Sequence, residues 1–191
     1  MKILFTGSEP FVRKDFLNVY TLTKKLGIVI SIYTNGTLIT TRIADYLKKW
    51  RPFLIEITLY GATVKTYERI TGIPGSFKHY LRGIKLLKER KIPLAVKTVI
   101  IKESLSEFYS IRRLAKQLNT PFRFSTVIDA KLDGSKDPYK HRISISDGVK
   151  PEMANKEFKN KWKNRSKNVE NQKKEKIFIY IIVTEDFIPF A

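Results

Sequence analysis

Short β-prone segments alternate with helical patterns over the first two thirds of the chain, and this alternation constrains the fold more than any other feature. Five segments rich in β-branched and aromatic residues predict strands, at residues 3–6, 28–33, 53–59, 94–101 and 122–128. Alternation with helices predicts βαβ units around a parallel sheet, because parallel strands need crossover connections. The sheet is then either doubly wound or an arc of a (β/α) barrel.

The helices predicted between these strands follow from apolar periodicity, at residues 15–26, 40–50, 65–70, 76–90 and 104–118. Gly27 is placed as the residue that ends the first helix, and Ser76 as the N-cap of the fourth. Ser104 and Glu107 have the spacing of a capping box. The strands are interpreted as apolar on both faces, as a sheet covered by helices on each side requires.

Polar or glycine-containing turns follow the first three predicted strands. Gly7 in the first turn lets the backbone approach a ligand closely. Asn35 in the second presents an amide, and Thr58 in the third presents a hydroxyl. Ligands of parallel α/β proteins bind at the carboxyl ends of the strands. The alternative is that these residues form ordinary βα turns and a strand end of high β-propensity.

In order and spacing, these turns resemble the motifs of the radical S-adenosylmethionine (SAM) superfamily, and within it the peptide maturases that carry a C-terminal SPASM extension. Residues 7–10 are similar to the family's Gly-Gly-Glu-Pro motif, and residues 11–16 to the segment that follows it. Residues 34–36 match its Thr-Asn-Gly strand end, and residues 57–63 its Ile-Ser-Leu-Asp-Gly-Ala-Thr strand. Residues 67–77 resemble a common maturase pattern, Thr-Gly-x-x-Gly-Ser-Phe.

The resemblance implies an α/β fold, a partial (β/α)6 barrel that lacks its first strand and carries a polar C-terminal extension. Residues 1–135 would be the partial radical SAM core. Residues 136–191 would hold a linker, a charged helix or disordered segment, and a terminal strand where a SPASM region begins. The family's activity is the reductive cleavage of SAM by a [4Fe–4S] cluster, followed by modification of a peptide.

The same resemblance implies SAM-binding residues. Gly7, Ser8 and Glu9 would lie at the amino group of the SAM methionine, where a carboxylate suits an ammonium. Asn35 and Thr58 would lie near the ribose and the carboxylate of SAM.

Lys97 is a further candidate for SAM binding. It is placed on a strand with apolar residues at alternate positions, so its side chain is predicted to face the barrel interior. A buried lysine needs an anionic partner, and a carboxylate of SAM or of the substrate is one. The alternative is a lysine at a solvated strand end.

Cysteine is absent from the 191 residues, and this sets the chain apart from the family pattern. The family's Cys-x3-Cys-x2-Cys loop follows the first core strand, whereas this chain begins at the second. Thiolates hold such a cluster, and no other side chain replaces them on iron here. No metal site is therefore predicted. Ser8 also replaces a glycine, and Tyr60 replaces the usual aspartate.

These departures predict a fragment that is inactive by itself. The first strand, residues 3–6, would be left as an unpaired apolar edge, which predicts poor solubility or pairing with a separate chain. Such a partner chain would supply both the missing strand and the cysteines. The β-prone run at residues 177–183 is interpreted either as the opening of a missing unit or as an edge strand of this domain.

The formal charge of +19 leaves nucleic-acid binding open as an alternative. Residues 150–176 contribute ten Lys/Arg and four Asp/Glu, and the remaining charge is spread over predicted helix surfaces. Such spreading favours solvated lysine-rich surfaces over a nucleic-acid interface, where charge gathers around exposed aromatics or glycines. No apolar run is long enough to cross a bilayer. We expect a cytoplasmic protein.

Three functional hypotheses remain open from the sequence. The first is a radical SAM peptide-modifying fragment without its cluster. The second is a cluster-free module that binds SAM or a peptide. The third is a basic nucleic-acid-binding protein.

Overall fold

The computed structural model of the protein describes residues 1–131 and 133–148, and the backbone of residues 179–183. The strands are β1 (Lys2–Gly7), β2 (Val29–Thr34), β3 (Leu54–Thr58), β4 (Leu94–Val99), β5 (Phe122–Ser125) and β6 (Ile179–Val183). The helices are α1 (Phe16–Lys25), α2 (Thr41–Lys49), α3 (Val64–Thr71), α4 (Ser76–Glu89) and α5 (Phe108–Gln117). All five strands and all five helices predicted for the first 128 residues are present, with ends that differ by a few residues.

The strands form one six-stranded sheet in the order β5-β4-β3-β2-β1-β6, and all its pairings are parallel. From β1 to β5 each strand pairs with the next along the chain, so the sheet grows in one direction. This is the arrangement of a barrel arc, and it confirms the predicted α/β class. Within the described residues the sheet does not close on itself, since β5 and β6 lie at its two edges.

The two faces of the sheet differ, and the prediction of strands apolar on both faces is wrong. One face, here called the apolar face, packs against the helices. Its strand residues are Phe5, Ile30, Ile32, Ile55, Ile57 and Val96, all fully buried. The helices contribute Phe16, Tyr20, Leu47, Tyr80, Ile84, Leu87 and Ile111 to the same core. Burying large side chains of this kind contributes about 1.5–3 kcal/mol each.

The opposite face, here called the polar face, carries Tyr33, Glu56, Thr58, Lys97 and Arg123. The strand registers pair Tyr33 with Glu56, Thr58 with Lys97, and Lys97 with Arg123, which places these side chains on one side. The sequence Ile55-Glu56-Ile57-Thr58 already alternates apolar and polar residues. That alternation is the signal of a strand with one apolar and one polar face.

The prediction that residues 3–6 form an unpaired edge is also wrong. β6 pairs in parallel with β1 over the full length of the strand, from Ile3 opposite Ile179 to Gly7 opposite Val183. An unpaired strand leaves a row of backbone N–H and C=O groups without partners, and the chain's own later segment satisfies them. The alternative interpretation of this run, an edge strand of this domain, is therefore confirmed for Ile179–Val183. The polar segment at residues 152–176 lies outside the described residues.

Two predicted helix caps are wrong. Gly75, with φ of 79°, precedes α4, while Ser76 is the first helical residue and bonds Thr71 Oγ1 through its hydroxyl at 2.8 Å. The left-handed φ favours glycine at that position. Ser104 precedes a short 3-10 turn without a side-chain cap, and the Glu107 carboxylate bonds the turn before α3 instead. Local spacing allowed both caps, and contacts between elements decided against them.

The segment after β5 folds back along the chain. Its short 3-10 helix, Asp137–His141, contacts the loop that follows β4. The Lys102 N–H donates to the His141 carbonyl oxygen at 3.0 Å, and His141 Nδ1 lies 2.6 Å from Glu103 Oε1. The boundary predicted at residue 135 stays a prediction. Among the described residues, none of the helices combines the length and the apolarity that a membrane crossing requires.

Candidate functional site at the carboxyl ends of the strands

Glu9 joins the ends of β1 and β2. Its carboxylate is 6% exposed and accepts hydrogen bonds from the Thr34 hydroxyl at 2.8 Å and from the Asn35 N–H at 2.7 Å. The Phe11 N–H donates to it at 3.2 Å. Burial raises the pKa of Glu9, and the hydrogen bonds from Asn35, Thr34 and Phe11 oppose that rise. Both carboxylate oxygens are therefore engaged by the chain itself, and Glu9 fixes the two turns relative to each other.

Gly7 and Ser8 are the exposed part of the same turn. Gly7 ends β1 with φ of 138°, a backbone conformation that residues with a side chain rarely adopt. The backbone of this turn is accessible at the carboxyl edge of the sheet, next to the buried Glu9. This is the position at which the sequence predicted close approach of a ligand.

Asn35 uses one end of its amide for the turn and leaves the other end available. Its Oδ1 accepts from the Thr37 N–H at 2.8 Å and from the Thr37 hydroxyl at 2.6 Å. Its Nδ2 has no hydrogen-bond partner among the described residues. The side chain is partly exposed, so this donor is available to a ligand.

Close packing explains why Gly36 follows Asn35. It has φ of 77°, and a Cβ there would lie 2.9 Å from Ile57 Cγ2. On the other side, a Cβ on Gly83 of α4 would collide with the Gly36 carbonyl oxygen. The Thr34-Asn35-Gly36 turn is thus held between β3 and α4 by packing within the chain.

Thr58 and Tyr60 connect the end of β3 to Glu9. The Tyr60 hydroxyl lies near the Thr58 side chain, and its ring packs edge-on against Tyr67 with centroids 5.7 Å apart. Burial and the nearby Glu9 carboxylate raise the pKa of Tyr60 to about 12, and the Thr58 hydroxyl opposes this. The hydroxyl of Tyr60 therefore stays protonated at neutral pH. It occupies the strand end where the resemblance expects an aspartate.

Glu107 positions the turn that follows Tyr60. Its carboxylate accepts from the Ala62 N–H at 2.7 Å, the Thr63 hydroxyl at 2.8 Å and the Thr66 hydroxyl at 2.6 Å. Burial opposes ionisation of Glu107, but these hydrogen bonds outweigh it and lower its pKa. A carboxylate at this place also faces the N-terminus of α3, where negative charge is favoured.

A cluster of charged side chains lies on the polar face, and we call Tyr33, Glu56, Lys97 and Arg123 the cationic cluster. Arg123 donates through Nε to Glu56 Oε2 at 3.0 Å, with a second bond from Nη2 to the same oxygen. Arg123 Nη2 also donates to the Tyr33 hydroxyl at 2.7 Å. The Lys97 ammonium lies 3.4 Å from the centre of the Tyr33 ring.

The ammonium of Lys97 is destabilised by its surroundings. Burial lowers its pKa to about 8, with Arg123 acting in the same direction and Glu56 opposing. The prediction that Lys97 points to the interior side of the sheet agrees with this position, on the face that the described helices leave uncovered.

The structure brings Gly7, Ser8, Glu9 and Asn35 together at the ends of β1 and β2. Thr58 reaches them through Tyr60, and Lys97 lies beside Thr58 in the sheet register but belongs to the cationic cluster. Which of these residues contact a ligand stays a prediction.

Sequence reasoning missed Thr34, Tyr33, Glu56 and Arg123. Glu56 stands between two isoleucines in a strand, and this was the one signal that could have identified the polar face.

An open parallel sheet with polar turns at its strand ends defines an α/β protein of the barrel type, with a ligand site at the carboxyl edge. The family model described as the radical SAM superfamily matches residues 2–115, more than half of the 191 residues. The chain therefore belongs to the radical SAM superfamily.

Curated relatives agree with this assignment. The chain is 29% identical over 116 residues to the AdoMet-dependent heme synthase of Methanosarcina barkeri, covering 61% of this chain and 33% of that protein. It is 28% identical over 105 residues to the PqqA peptide cyclase of Granulibacter bethesdensis, covering 55% of this chain and 28% of that one. The chain thus spans about a third of the length of these relatives.

Solved structures share the fold. Native anSMEcpe with bound AdoMet and Kp18Cys peptide matches with a TM-score of 0.63 at 21% identity, over 76% of this chain and 42% of that one. Streptococcus suis SuiB bound to S-adenosylmethionine matches with a TM-score of 0.61 at 14% identity, over 96% and 39%. At these identities the likeness shows the fold alone.

The superfamily uses SAM and a [4Fe–4S] cluster, and the two fit this chain differently. The residues present do not fit the cluster, because none of the 191 is a cysteine, and the described residues contain no group of metal-ligating side chains. They do fit SAM: an exposed glycine-containing turn, a free amide donor on Asn35 and a buried carboxylate behind them meet at one strand edge.

Proposed function

We propose that this chain is the SAM-binding part of a radical SAM enzyme that modifies a peptide, with Gly7, Ser8, Glu9, Asn35 and Thr58 forming the SAM site. The observation that carries the proposal is the network in which Glu9 bonds Thr34 and Asn35, because it fixes the two glycine-containing turns of the family motif beside each other.

Each residue has its own task in this site. The exposed backbone of Gly7 and Ser8 offers carbonyl acceptors to the ammonium of SAM. Glu9 acts from behind, because its oxygens hold the turns and its charge favours a cation nearby. The Asn35 amide donates to a ribose hydroxyl or to the carboxylate. Lys97 completes the predicted set, and its ligand is a carboxylate of SAM or of the substrate.

This chain by itself does not perform the reductive cleavage of SAM. That step needs an electron from a cluster, and the chain encodes no thiolate to hold one. Activity would depend on cysteines from outside these 191 residues, such as those of a partner chain. A peptide substrate is supported by the PqqA peptide cyclase relatives and by the peptide-bound structures that share the fold. The SPASM-type architecture stays a prediction.

Calorimetry with SAM tests the site, and Ser8 offers a gain-of-function variant. Ser8→Gly restores the family's glycine and is expected to tighten SAM binding several-fold, because it removes a side chain where the backbone meets the ligand. Ser135→Gly, in an exposed loop outside the site, is the matched control and leaves the affinity unchanged. No heat with SAM for the wild-type chain and for Ser8→Gly would refute the proposal.

Asn35→Asp tests the amide donor separately. The aspartate keeps the oxygen that Thr37 bonds, so the turn is preserved, while the donor becomes an acceptor. We expect the SAM affinity to fall about tenfold, the cost of one hydrogen bond and an added repulsion. An unchanged affinity would remove Asn35 from the site.

Anaerobic reconstitution with iron and sulfide tests the absence of a cluster. The purified chain is expected to show no cluster absorption and no cleavage of SAM under a strong reductant. A stoichiometric cluster on this chain alone would overturn the dependence on a partner.

A further inference from the structure

The cationic cluster presents positive charge and hides its negative charge. The Arg123 side chain is 53% exposed, whereas the Glu56 side chain is 9% exposed and lies beneath it. Tyr33 supports both cations, since its hydroxyl accepts from Arg123 and its ring lies under the Lys97 ammonium. Anything that approaches the polar face therefore meets the two cations first.

The charges of the cluster do not balance within the described part of the chain. Lys97 and Arg123 carry two positive charges against the single carboxylate of Glu56, which leaves a net charge of about +1. Arg123 donates two hydrogen bonds to Glu56, so the negative charge of Glu56 already has a partner. Lys97 has no hydrogen-bond acceptor among the described residues, and its contact is the face of an aromatic ring.

A partly buried ammonium without an acceptor is costly unless a ligand supplies one. The missing group must be an anion, because the excess charge is positive. A single negative charge balances the cluster. A planar carboxylate suits it, since it has two acceptor oxygens for two cations that both contact Tyr33.

We propose that the cationic cluster binds a carboxylate of the substrate, such as an acidic side chain of a peptide. The substrate assignment rests on the proposed function, whereas the anion-binding character rests on the cluster alone. The cluster lies on the strand bodies of β2 to β5, below the turns at Glu9 and Asn35. A substrate group bound there enters the interior side of the sheet, next to the SAM site rather than within it.

The proposal predicts a pH dependence. The groups that face Lys97 are Tyr33 from β2, Glu56 from β3 and Arg123 from β5, and burial lowers the pKa of Lys97 to about 8. Carboxylate binding needs the ammonium form, so the affinity falls as the pH rises through about 8. A bound carboxylate in turn raises the pKa of Lys97, because an opposite charge nearby favours the charged form.

The probe is the peptide acetyl-Ala-Glu-Ala-amide, compared with its glutamine counterpart, which has the same shape without the charge. Binding to the full chain is followed by the NMR signals of the lysine ε-methylene groups during a pH titration. We expect the glutamate peptide to raise the pKa of Lys97 and the glutamine peptide to leave it unchanged. Equal behaviour of the two peptides would overturn the proposal.

Two variants connect the signal to the cluster. Lys97→Met keeps a long apolar side chain over Tyr33 and is expected to weaken binding of the glutamate peptide about tenfold or more, the cost of one charge-assisted hydrogen bond. Lys78→Met, an exposed lysine on α4 behind the apolar face, is the matched control and binds as the wild type does. Equal loss in both variants, or in neither, would also overturn the proposal.

A comparison of SAM with decarboxylated SAM separates this site from the SAM site. If the cluster serves the substrate, the preference of the chain for SAM over its decarboxylated form is the same in the wild type and in Lys97→Met. A preference that disappears in Lys97→Met would assign the cluster to SAM and overturn the substrate role. Failure of both nucleosides to bind would refute the proposed function, while the peptide experiment would still decide on the cluster.

Discussion

The apolar and polar faces of the sheet are built on the same strands but have opposite tasks. On the apolar face, Ile55 and Ile57 of β3 are fully buried among helix side chains. On the polar face, their neighbours Glu56 and Thr58 belong to a charged cluster and to the candidate SAM site. The helices and the apolar face thus supply most of the stability of the fold. The polar face can therefore carry partly buried charges, although these are unfavourable for folding.

The largest difference between the faces is expected from neighbouring substitutions on β3. Ile57→Ala removes a fully buried side chain and should lower the free energy of unfolding by about 3 kcal/mol, through lost burial and a cavity. Thr58→Ala, one residue along on the polar face, should cost about 1 kcal/mol or less, because the Thr58 side chain is only partly buried. Urea denaturation measures both, and equal costs would contradict the division of tasks.

A smaller effect is expected from breaking the ion pair of the polar face. Arg123→Met leaves the buried Glu56 carboxylate without its partner and should cost about 2 kcal/mol of unfolding free energy. The double variant Arg123→Met/Glu56→Leu should recover part of that loss, because the unpaired carboxylate is gone, while Lys97 loses the favourable charge of Glu56. Additive losses in the double-mutant cycle would show that the two residues are not coupled.

A substitution of Glu107, which bonds the turn after β3, should lower the free energy of unfolding by about 1 kcal/mol. Glu107→Gln replaces one carboxylate oxygen with an NH2 group, which then faces either the N–H groups of Ala62 and Thr63 or the hydroxyls of Thr63 and Thr66. The control is Glu68→Gln on α3, whose carboxylate makes no hydrogen bond within the described part of the chain. Thermal unfolding compares the two, and an equal change in melting temperature would mean that the Glu107 contacts contribute nothing.

The smallest expected change is an increase in the free energy of unfolding, and it depends on pH. Lys97→Met should stabilise the fold slightly near neutral pH, because it removes a desolvated charge but also loses the contact of that ammonium with the Tyr33 ring. The pKa of Lys97 is about 8 in the folded chain, and an unfolded lysine titrates near about 10.4. Between these values the unfolded chain binds more protons, so the wild type gains stability as the pH rises.

The difference in unfolding free energy between Lys97→Met and the wild type should therefore be greatest below a pH of about 8 and smallest near a pH of about 10.4. Urea denaturation across this range measures it. A gap that grows with pH would contradict the burial of the Lys97 ammonium.

Local sequence was sufficient for the order of strands and helices, for the glycine-containing turns and for the superfamily. The periodicity of each segment depends on residues a few positions apart, so it can be recognised from the sequence alone. Gly36 shows what such local patterns do not predict. The turn was predicted from its sequence, but its close packing against Ile57 and α4 was not.

The sequence by itself determined the parallel α/β arrangement and the absence of thiolates for a cluster. Only the tertiary structure decided that β6 pairs with β1, that Glu107 bonds the turn before α3 rather than its own helix, and that Glu56 meets Arg123 across the sheet. Glu56 and Arg123 are 67 residues apart in the chain. Residues far apart in the chain pair because folding brings an unpaired backbone edge or a buried charge close to its partner. No local sequence pattern predicts such a pairing.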